Sequence, residues 1–164
     1  MDVLLEELTR GLSDTRQLAQ VMIRIIAATV LGAIVGFERE LAGKPAGLRT
    51  HTLVCLGTAV FVLVCGGVGM SSDGLSRVIQ GIVTGIGFIG AGSILKLSQE
   101  RDIRGLTTAA GVWMTAAIGV GVGLGSLGVA ALSTVLAVLI LAVVGAVEAR
   151  AEKVKTERVK KADA

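Results

Sequence analysis

The chain has 164 residues, of which 52% are hydrophobic, 18% charged and only 2% aromatic, and its net charge is +3. One tryptophan and no tyrosine leave too little aromatic surface for nucleic-acid binding by base stacking. Two cysteines exclude a disulfide scaffold, and the hydrophobicity excludes a disordered chain. The composition therefore favours a small all-α membrane protein that does not bind nucleic acid.

Long runs without charged residues predict membrane-spanning helices. The uncharged runs cover 21, 18 and 43 residues, at 52–72, 78–95 and 105–147. A helix that crosses the hydrocarbon core needs about 20 residues, so the longest run must form two helices joined by a glycine-rich turn. With the mostly apolar stretch 17–37, the pattern predicts a polytopic bundle of five transmembrane helices. These spans are expected near 20–37, 52–70, 78–96, 106–124 and 128–147.

The segments outside this transmembrane domain, residues 20–147, are short. Leucines at helical spacing predict a short interfacial helix over residues 1–19, and Asp14 is placed to cap the helix that follows. Residues 148–164 form a charged tail that is too short to fold alone. We expect no cleaved signal peptide, because the first apolar run begins late and no small-residue cleavage site follows it.

The distribution of basic residues predicts the orientation of the chain. Twelve Lys and Arg residues lie in the first loop, the third loop and the tail, against four on the opposite face. Because basic residues are enriched on the cytoplasmic side, the tail is expected to be cytoplasmic and the N-terminus outside. Arg24, about one turn inside the first span, is expected to snorkel outward.

Glycines recur at helical spacing within two spans. The pairs Gly32/Gly36 and Gly81/Gly85 have the G-x-x-x-G spacing that lets helix backbones approach closely in a membrane. We expect these four glycines to be helix-packing residues. The same role is expected in the third span for Gly87, Gly90 and Gly92. Alternatively, the glycines of this span could let the helix unwind and offer carbonyl oxygens to an ion.

The loop after the first span contains charges of both signs. Glu38 and Glu40 are carboxylates at a membrane edge, where they could hold Mg²⁺. Arg39, Lys44 and Arg49 would neutralise them first. A salt-bridged anchor is therefore favoured over a metal site.

Two further loops contain candidate functional side chains. Asp73 and Arg77 are four residues apart, which favours a helix cap and an ion pair over a carboxylate at the mouth of a polar pathway. Arg104 precedes Thr107 and Thr108, which are candidate caps of the fourth span. Together these residues would suit an anion such as phosphate or a lipid headgroup, although a capped helix with a headgroup-contacting arginine is favoured.

The sequence offers no support for enzyme chemistry. His51 is the only histidine, so neither a His-based zinc site nor a catalytic triad can be built. The G-x-G-x-x-G match at 85–90 lies inside an uncharged span, without the strand and the acidic residue that a dinucleotide site needs. Cys55 and Cys65 lie about 15 Å apart on one helix, too far to be bonded, and are expected to be small buried side chains. We expect a non-enzymatic protein with no cofactor.

Four blocks of the chain, within about residues 30–125, resemble the MgtC/SapB family of bacterial membrane proteins. The blocks are GAIVGFERE at 32–40, AGLRTHTLVCLG at 46–57, IVTGIGFIGAG at 82–92 and RGLTTAA at 104–110. The resemblance implies a multi-pass inner-membrane protein with its N-terminus outside. Longer members carry a folded cytosolic domain after the membrane part, whereas only 17 residues follow from Glu148 here. The chain is thus expected to be similar to the short members.

Two functions remain open. The resemblance implies a regulator of other membrane proteins, including ATP synthase and transporters, that acts as a homodimer in the lipid bilayer during Mg²⁺ limitation, acid or envelope stress. Mg²⁺ would then be a signal or a ligand. The alternative is a small transporter or channel for Mg²⁺ or another ion. Transport predicts carboxylates near the bilayer midplane, and none lies within 41–72, 74–99 or 103–147.

Overall fold

A computed structural model describes residues 14–96, 103–147 and 150 of the chain. These residues form five helices, each long and apolar enough to cross a membrane, which confirms the prediction of an all-α bundle with five spans. The orientation of the chain in the membrane stays a prediction. The helices are α1 (Thr15–Leu41), α2 (Leu48–Gly67), α3 (Ser72–Gly92), α4 (Leu106–Gly123) and α5 (Leu127–Leu139). A π-helical turn, Ile140–Val144, continues α5.

The helices extend past the predicted spans where charged residues flank the apolar runs. α1 begins five residues earlier, after Asp14, whose carboxylate accepts a hydrogen bond from the Arg16 N–H at 3.1 Å. α3 begins at Ser72 rather than at 78. Both shifts have one cause, because a helix continues beyond the hydrocarbon core into the headgroup region, where charges are accepted. The N-terminal interfacial helix and the tail fall largely outside the described residues, in 1–13 and 151–164.

A pair of two-residue strands, which the sequence analysis did not predict, connects α3 to α4. β1 (Leu95–Lys96) pairs antiparallel with β2 (Ile103–Arg104). The cap of α4 follows directly and is Gly105, with a φ of 97°. A β-carbon at Gly105 would collide with the Ser93 carbonyl at the end of α3. The expectation that Thr107 or Thr108 caps α4 is therefore wrong, because this close approach requires glycine.

The core lies where α2 and α4 pass between the other helices. Half of the α4 span is buried, against 11% of the α3 span. The main buried cluster joins α1, α2, α4 and α5 through small and medium side chains. Its members are Ala28, Val35, Cys55, Ala59, Ile118, Val122 and Ala130. Cys55 and Cys65 are both buried and free, as expected.

Glycines bring the backbones of α1, α2 and α4 close together. A β-carbon at Gly32 would lie 2.7 Å from the Cys55 Cβ and 2.8 Å from the His51 carbonyl oxygen. One built at Gly36 would lie 2.7 Å from the Leu48 Cα. On α4, Gly119 meets the Thr58 hydroxyl and the Cys55 carbonyl in the same way. Gly119 and Gly123, which lie near the predicted glycine-rich turn, are thus packing positions inside α4.

Most glycines of α3 are not packed against another helix. Gly90 makes an ordinary contact, since a β-carbon there would lie 3.5 Å from the Ala109 Cβ. Four other glycines have open space around them, because an added β-carbon would meet nothing within 4 Å. They are Gly81, Gly85, Gly87 and Gly92. Within the described chain these four pack against no other helix, so their packing role stays a prediction about contacts outside it.

Arg24 is half-buried and is bound at the turn between α4 and α5. Its Nη1 donates to the Gly123 carbonyl at 3.0 Å, at the C-terminal end of α4. The guanidinium covers Gly125, which has a φ of 83° in the turn between α4 and α5. The last carbonyls of a helix lack intrahelical partners and attract a cation. The turn therefore stabilises the positive charge of Arg24 better than lipid would.

The glycine contacts predict a difference between two alanine substitutions. Gly32→Ala should destabilise the bundle by about 1–3 kcal/mol, because the added methyl group meets α2 backbone and must push the helices apart. Gly87→Ala should leave stability unchanged or slightly raised, since it adds a methyl group in open space and favours the helix. Unfolding in detergent micelles, followed by circular dichroism, measures both. Equal effects of the two substitutions would contradict the packing described here.

Candidate functional site: a buried charged cluster and an apolar groove

The loop between α1 and α2 folds back tightly and places charged residues against the bundle. α1 ends at Leu41, where the Ala42 N–H bonds to the Glu38 carbonyl and the Lys44 N–H to the Arg39 carbonyl, both at 3.0 Å. Gly43 between them has a φ of 65°, which a side chain would disfavour. The chain thus reverses within a few residues, and the start of α2 lies beside the end of α1.

Arg39 is buried, with only 2% of its surface exposed. Its Nε and Nη2 both bind the Glu38 carboxylate, with 2.6 Å between Nη2 and Oε1. Nη2 also reaches the Leu141 carbonyl, at 3.4 Å, in the π-helical turn of α5. A bidentate carboxylate neutralises a guanidinium that would otherwise be costly at this depth. The salt-bridged anchor favoured from the sequence is therefore present, and it links α1 to α5.

Glu40 has a separate role at the start of α2. Its Oε2 accepts a hydrogen bond from the Leu48 N–H at 2.8 Å. A carboxylate at this position satisfies a free backbone donor and faces the positive end of the helix dipole. Gly47, the N-cap, has no side chain that would collide with this carboxylate. Glu40 is thus committed to capping α2.

His51 lies one turn into α2 and is fully buried. Its Nδ1 is 2.7 Å from the Thr115 hydroxyl oxygen on α4, and that hydroxyl is 2.9 Å from the Gly111 carbonyl. A carbonyl only accepts, so the Thr115 hydroxyl donates to Gly111 and accepts from the ring. Nδ1 therefore carries the proton of the neutral imidazole. The other nitrogen, Nε2, is buried without a hydrogen-bond partner.

An unpartnered nitrogen of this kind is rare in a folded protein, because a buried acceptor without a donor costs about 1–3 kcal/mol. The charged side chains that act on the ring are Arg39 and Glu38, both from α1. We call Glu38, Arg39, His51 and Thr115 the buried cluster. It joins α1, α2, α4 and α5 at one end of the bundle.

The other predicted site residues lie outside this cluster. Lys44 and Arg49 are exposed and form no ion pair with Glu38 or Glu40 in the described structure. Thr107 is exposed in the first turn of α4, whereas its neighbour Thr108 is buried. Arg104 belongs to β2, and its side chain lies outside the described part of the structure.

Asp73 and Arg77 lie at the opposite end of the bundle, in the first turns of α3, and both are exposed. The cap of α3 is Ser71, whose hydroxyl accepts from the Gly74 N–H at 3.2 Å. Asp73 occupies the first turn instead, and residues 14–96 contain no ion pair between it and Arg77. The predicted cap at Asp73 is therefore wrong by two residues, because a serine precedes it at the turn.

Two further buried hydroxyls of the core, on Thr58 and Thr134, are satisfied within their own helices. Thr58 donates to the Val54 carbonyl, and Thr134 donates to the Ala130 carbonyl, each at 2.9 Å. A hydroxyl that bonds to the preceding turn of its own helix is not free to bind a passing ion. The described interior between the two ends of the bundle is otherwise packed with apolar groups.

A groove of about 630 Å³ separates α2 from α3. Its walls are apolar, and Gly57, Gly81 and Gly85 lie along them without any contact from the rest of the chain. The bulkier lining residues include Leu53, Phe61, Val78, Ile82 and Ile89. We call this feature the α2–α3 groove. Since its walls are apolar and the bundle is that of a membrane protein, the groove is a surface for lipid or for another apolar segment.

A sequence profile of the MgtC family matches residues 25–150, which include α2 to α5 and most of α1. The chain belongs to the MgtC family. This membership confirms the resemblance found in the sequence blocks. Together with the five helices, it identifies a multi-pass bacterial membrane protein.

Three relatives show how far the likeness extends. SrpB from Synechococcus elongatus is 45% identical over 62% of this chain and 62% of its own length. YhiD from Escherichia coli K12, named as a candidate magnesium transporter, is 42% identical over 76% of this chain and 60% of its own. MgtC from Salmonella typhimurium is 45% identical over 63% of this chain and 43% of its own. The chain thus spans less than two thirds of these relatives. No solved structure matches it.

Sequence reasoning missed the most unusual residue of this MgtC-family site. His51 was considered only as a member of zinc sites and triads, and those were excluded for lack of further histidines. A signal was nevertheless present, because a histidine inside an apolar span is costly unless it faces the protein interior. Its position one turn into α2, next to a charged loop, was the clue to a polar cluster.

The buried ion pair predicts a marked asymmetry between single and double substitutions. Glu38→Gln should destabilise the protein by about 3–5 kcal/mol, because it leaves the Arg39 guanidinium buried and uncompensated. Adding Arg39→Met should restore much of the loss, since the pair is then replaced by groups of similar size without charge. Thermal unfolding in nanodiscs measures the two variants. Arg49→Ala, at an exposed position, is the control and should change stability little; a double variant no better than Glu38→Gln would refute the argument.

Proposed function

We propose that this MgtC-family protein is a non-enzymatic membrane protein that modulates partner membrane proteins by receiving a transmembrane helix in the α2–α3 groove. The observation that carries the proposal is the groove itself. It is open, has apolar walls, and contains three glycines on which nothing packs. No other element of the described chain covers it.

A helix fits this groove better than a lipid chain does. The lining extends over residues 53–61 of α2 and 78–89 of α3, which is two to three helical turns. Glycines at 81 and 85 are one turn apart, the spacing at which a second backbone can approach closely and gain van der Waals contact. A flexible acyl chain needs no such flat surface. The partner is thus expected to present small residues on an apolar helix, from another membrane protein or from a second copy of this chain.

The interior argues against transport as the main activity. At the end of the bundle that holds the buried cluster, both carboxylates already have partners. Glu38 binds Arg39, and Glu40 accepts from the first N–H of α2. The threonine hydroxyls farther inside are bonded within their helices. A Mg²⁺ path requires a succession of oxygen ligands, because this ion dehydrates reluctantly. The described residues supply no such succession between the two ends.

The relatives suggest the physiological setting of the proposed activity. One of them is named for magnesium transport, so growth at low Mg²⁺ is the condition in which to seek the phenotype. The regulated partners would be ATP synthase or transporters, during Mg²⁺ limitation, acid or envelope stress. We further propose that the chain forms a homodimer in the bilayer and that Mg²⁺ is its signal or ligand.

The groove can be tested with a matched pair of substitutions on α3. Gly81→Leu together with Gly85→Leu should fill the groove, leave stability close to wild type, and abolish complementation of a deletion strain in low Mg²⁺. Gly87→Leu also adds a side chain in open space on α3, but outside the groove lining, and should complement. Full complementation by the groove variant would overturn the proposed docking site.

Transport itself is tested by Mg²⁺ flux into proteoliposomes that contain the purified, folded chain. We expect flux no greater than in empty liposomes, because the interior lacks a chain of oxygen ligands. Asp73→Asn provides the comparison, since Asp73 is an exposed carboxylate at one end of the bundle. Saturable flux that Asp73→Asn weakens would identify a small transporter instead.

A further inference from the structure

We propose that the Nε2 atom of His51 is a proton-binding site whose occupancy controls the hold of α1 on the end of α5. This inference does not depend on the α2–α3 groove, whose lining does not include His51. It follows from the geometry of the buried cluster, and its ligand is a proton from the adjoining aqueous phase.

The hydrogen bonds of the ring define which nitrogen is free. The Gly111 carbonyl takes the Thr115 hydroxyl proton, so the hydroxyl oxygen takes the proton of Nδ1. Nε2 is then left with a lone pair, fully buried and without a donor. Since no donor in the described chain reaches Nε2, this atom makes no hydrogen bond until it binds a proton.

The surroundings of the ring define what a proton would change. The charged side chains that act on the ring are Arg39 and Glu38 of α1, and its neighbours on α4 are Gly111 and Thr115, which are uncharged. In the neutral state the Glu38 carboxylate balances the Arg39 guanidinium. Protonation adds a second cation next to a single anion. The Glu38 carboxylate then balances only one of the two positive charges, and Arg39 and protonated His51 repel each other.

Arg39 transmits this change to α5. Its Nη2 holds both the Glu38 carboxylate, at 2.6 Å, and the Leu141 carbonyl, at the longer distance of 3.4 Å. The Leu141 contact is the weaker of the two and is expected to open first when Arg39 moves. Leu141 lies in the π-helical turn, where the regular hydrogen-bond ladder is already interrupted. Protonation of His51 thus releases the end of α5 from α1.

The single histidine makes the proton directly observable. In nanodiscs containing the chain labelled with ¹⁵N-histidine, nuclear magnetic resonance at neutral pH should show a protonated Nδ1 and an unprotonated Nε2. Acidification should move the Nε2 signal reversibly to its protonated position while the protein remains folded. An Nε2–H tautomer at neutral pH, or a ring that stays unchanged until unfolding, would overturn the assignment.

Hydrogen exchange tests the consequence for α5. After correction for intrinsic exchange, the amides of 140–147 should exchange several-fold faster in the pH range where the ring titrates. His51→Gln keeps an N–H donor for Thr115 but cannot titrate, so its exchange should not depend on pH. Equal changes in both proteins would overturn the link to α5.

A second variant and the use of purified protein make this test independent of protein folding and of the growth test. If His51→Gln fails to fold, Thr115→Val provides the second variant, because it removes the acceptor of Nδ1 and should give a mixture of tautomers. An unchanged single tautomer in that variant would refute the hydrogen-bond argument. Because these readouts use purified protein, they stand or fall independently of the growth test for the proposed function.

Discussion

The close approach of α1, α2 and α4 is the constraint on which the rest of the structure depends. Between helices in a membrane, apolar side chains gain little by leaving lipid, so close packing must supply the attraction. Gly32, Gly36 and Gly119 allow it by removing side chains where backbones meet. This contact places α2 inside the bundle and turns His51 toward α4. The buried cluster exists because the glycines allow its helices to meet.

The same physics explains why α3 is the least covered helix. Its glycines at 81 and 85 face outward beside α2 and have no partner in the described chain. A surface that is flat, apolar and unfilled favours a further helix over lipid. One set of glycines thus holds the bundle together, and the other set is available to a neighbour. The proposed function depends on this division.

Hydropathy and charge were sufficient to predict the five spans, the cap at Asp14 and the ion pairing around Arg39. They were not sufficient to orient α2 and α4, which are apolar around their whole circumference and show no polar face. The burial of His51 and the packing role of Gly119 therefore required the three-dimensional structure. The predicted cap of α4 was wrong for a related reason, since the collision at Gly105 involves Ser93, which follows another helix, α3.

Two of the three arginines of α1 have a consequence for the order in which the protein is assembled. Arg24 and Arg39 find their carbonyl partners 99 and 102 residues later in the chain, at Gly123 and Leu141. At a synthesis rate of about 5–20 residues per second, α1 waits roughly 5–20 s for each of them. During this interval its charges must be held by headgroups, by water or by the insertion machinery. The α4–α5 hairpin thus completes the neutralisation of α1, a helix that is synthesised well before it.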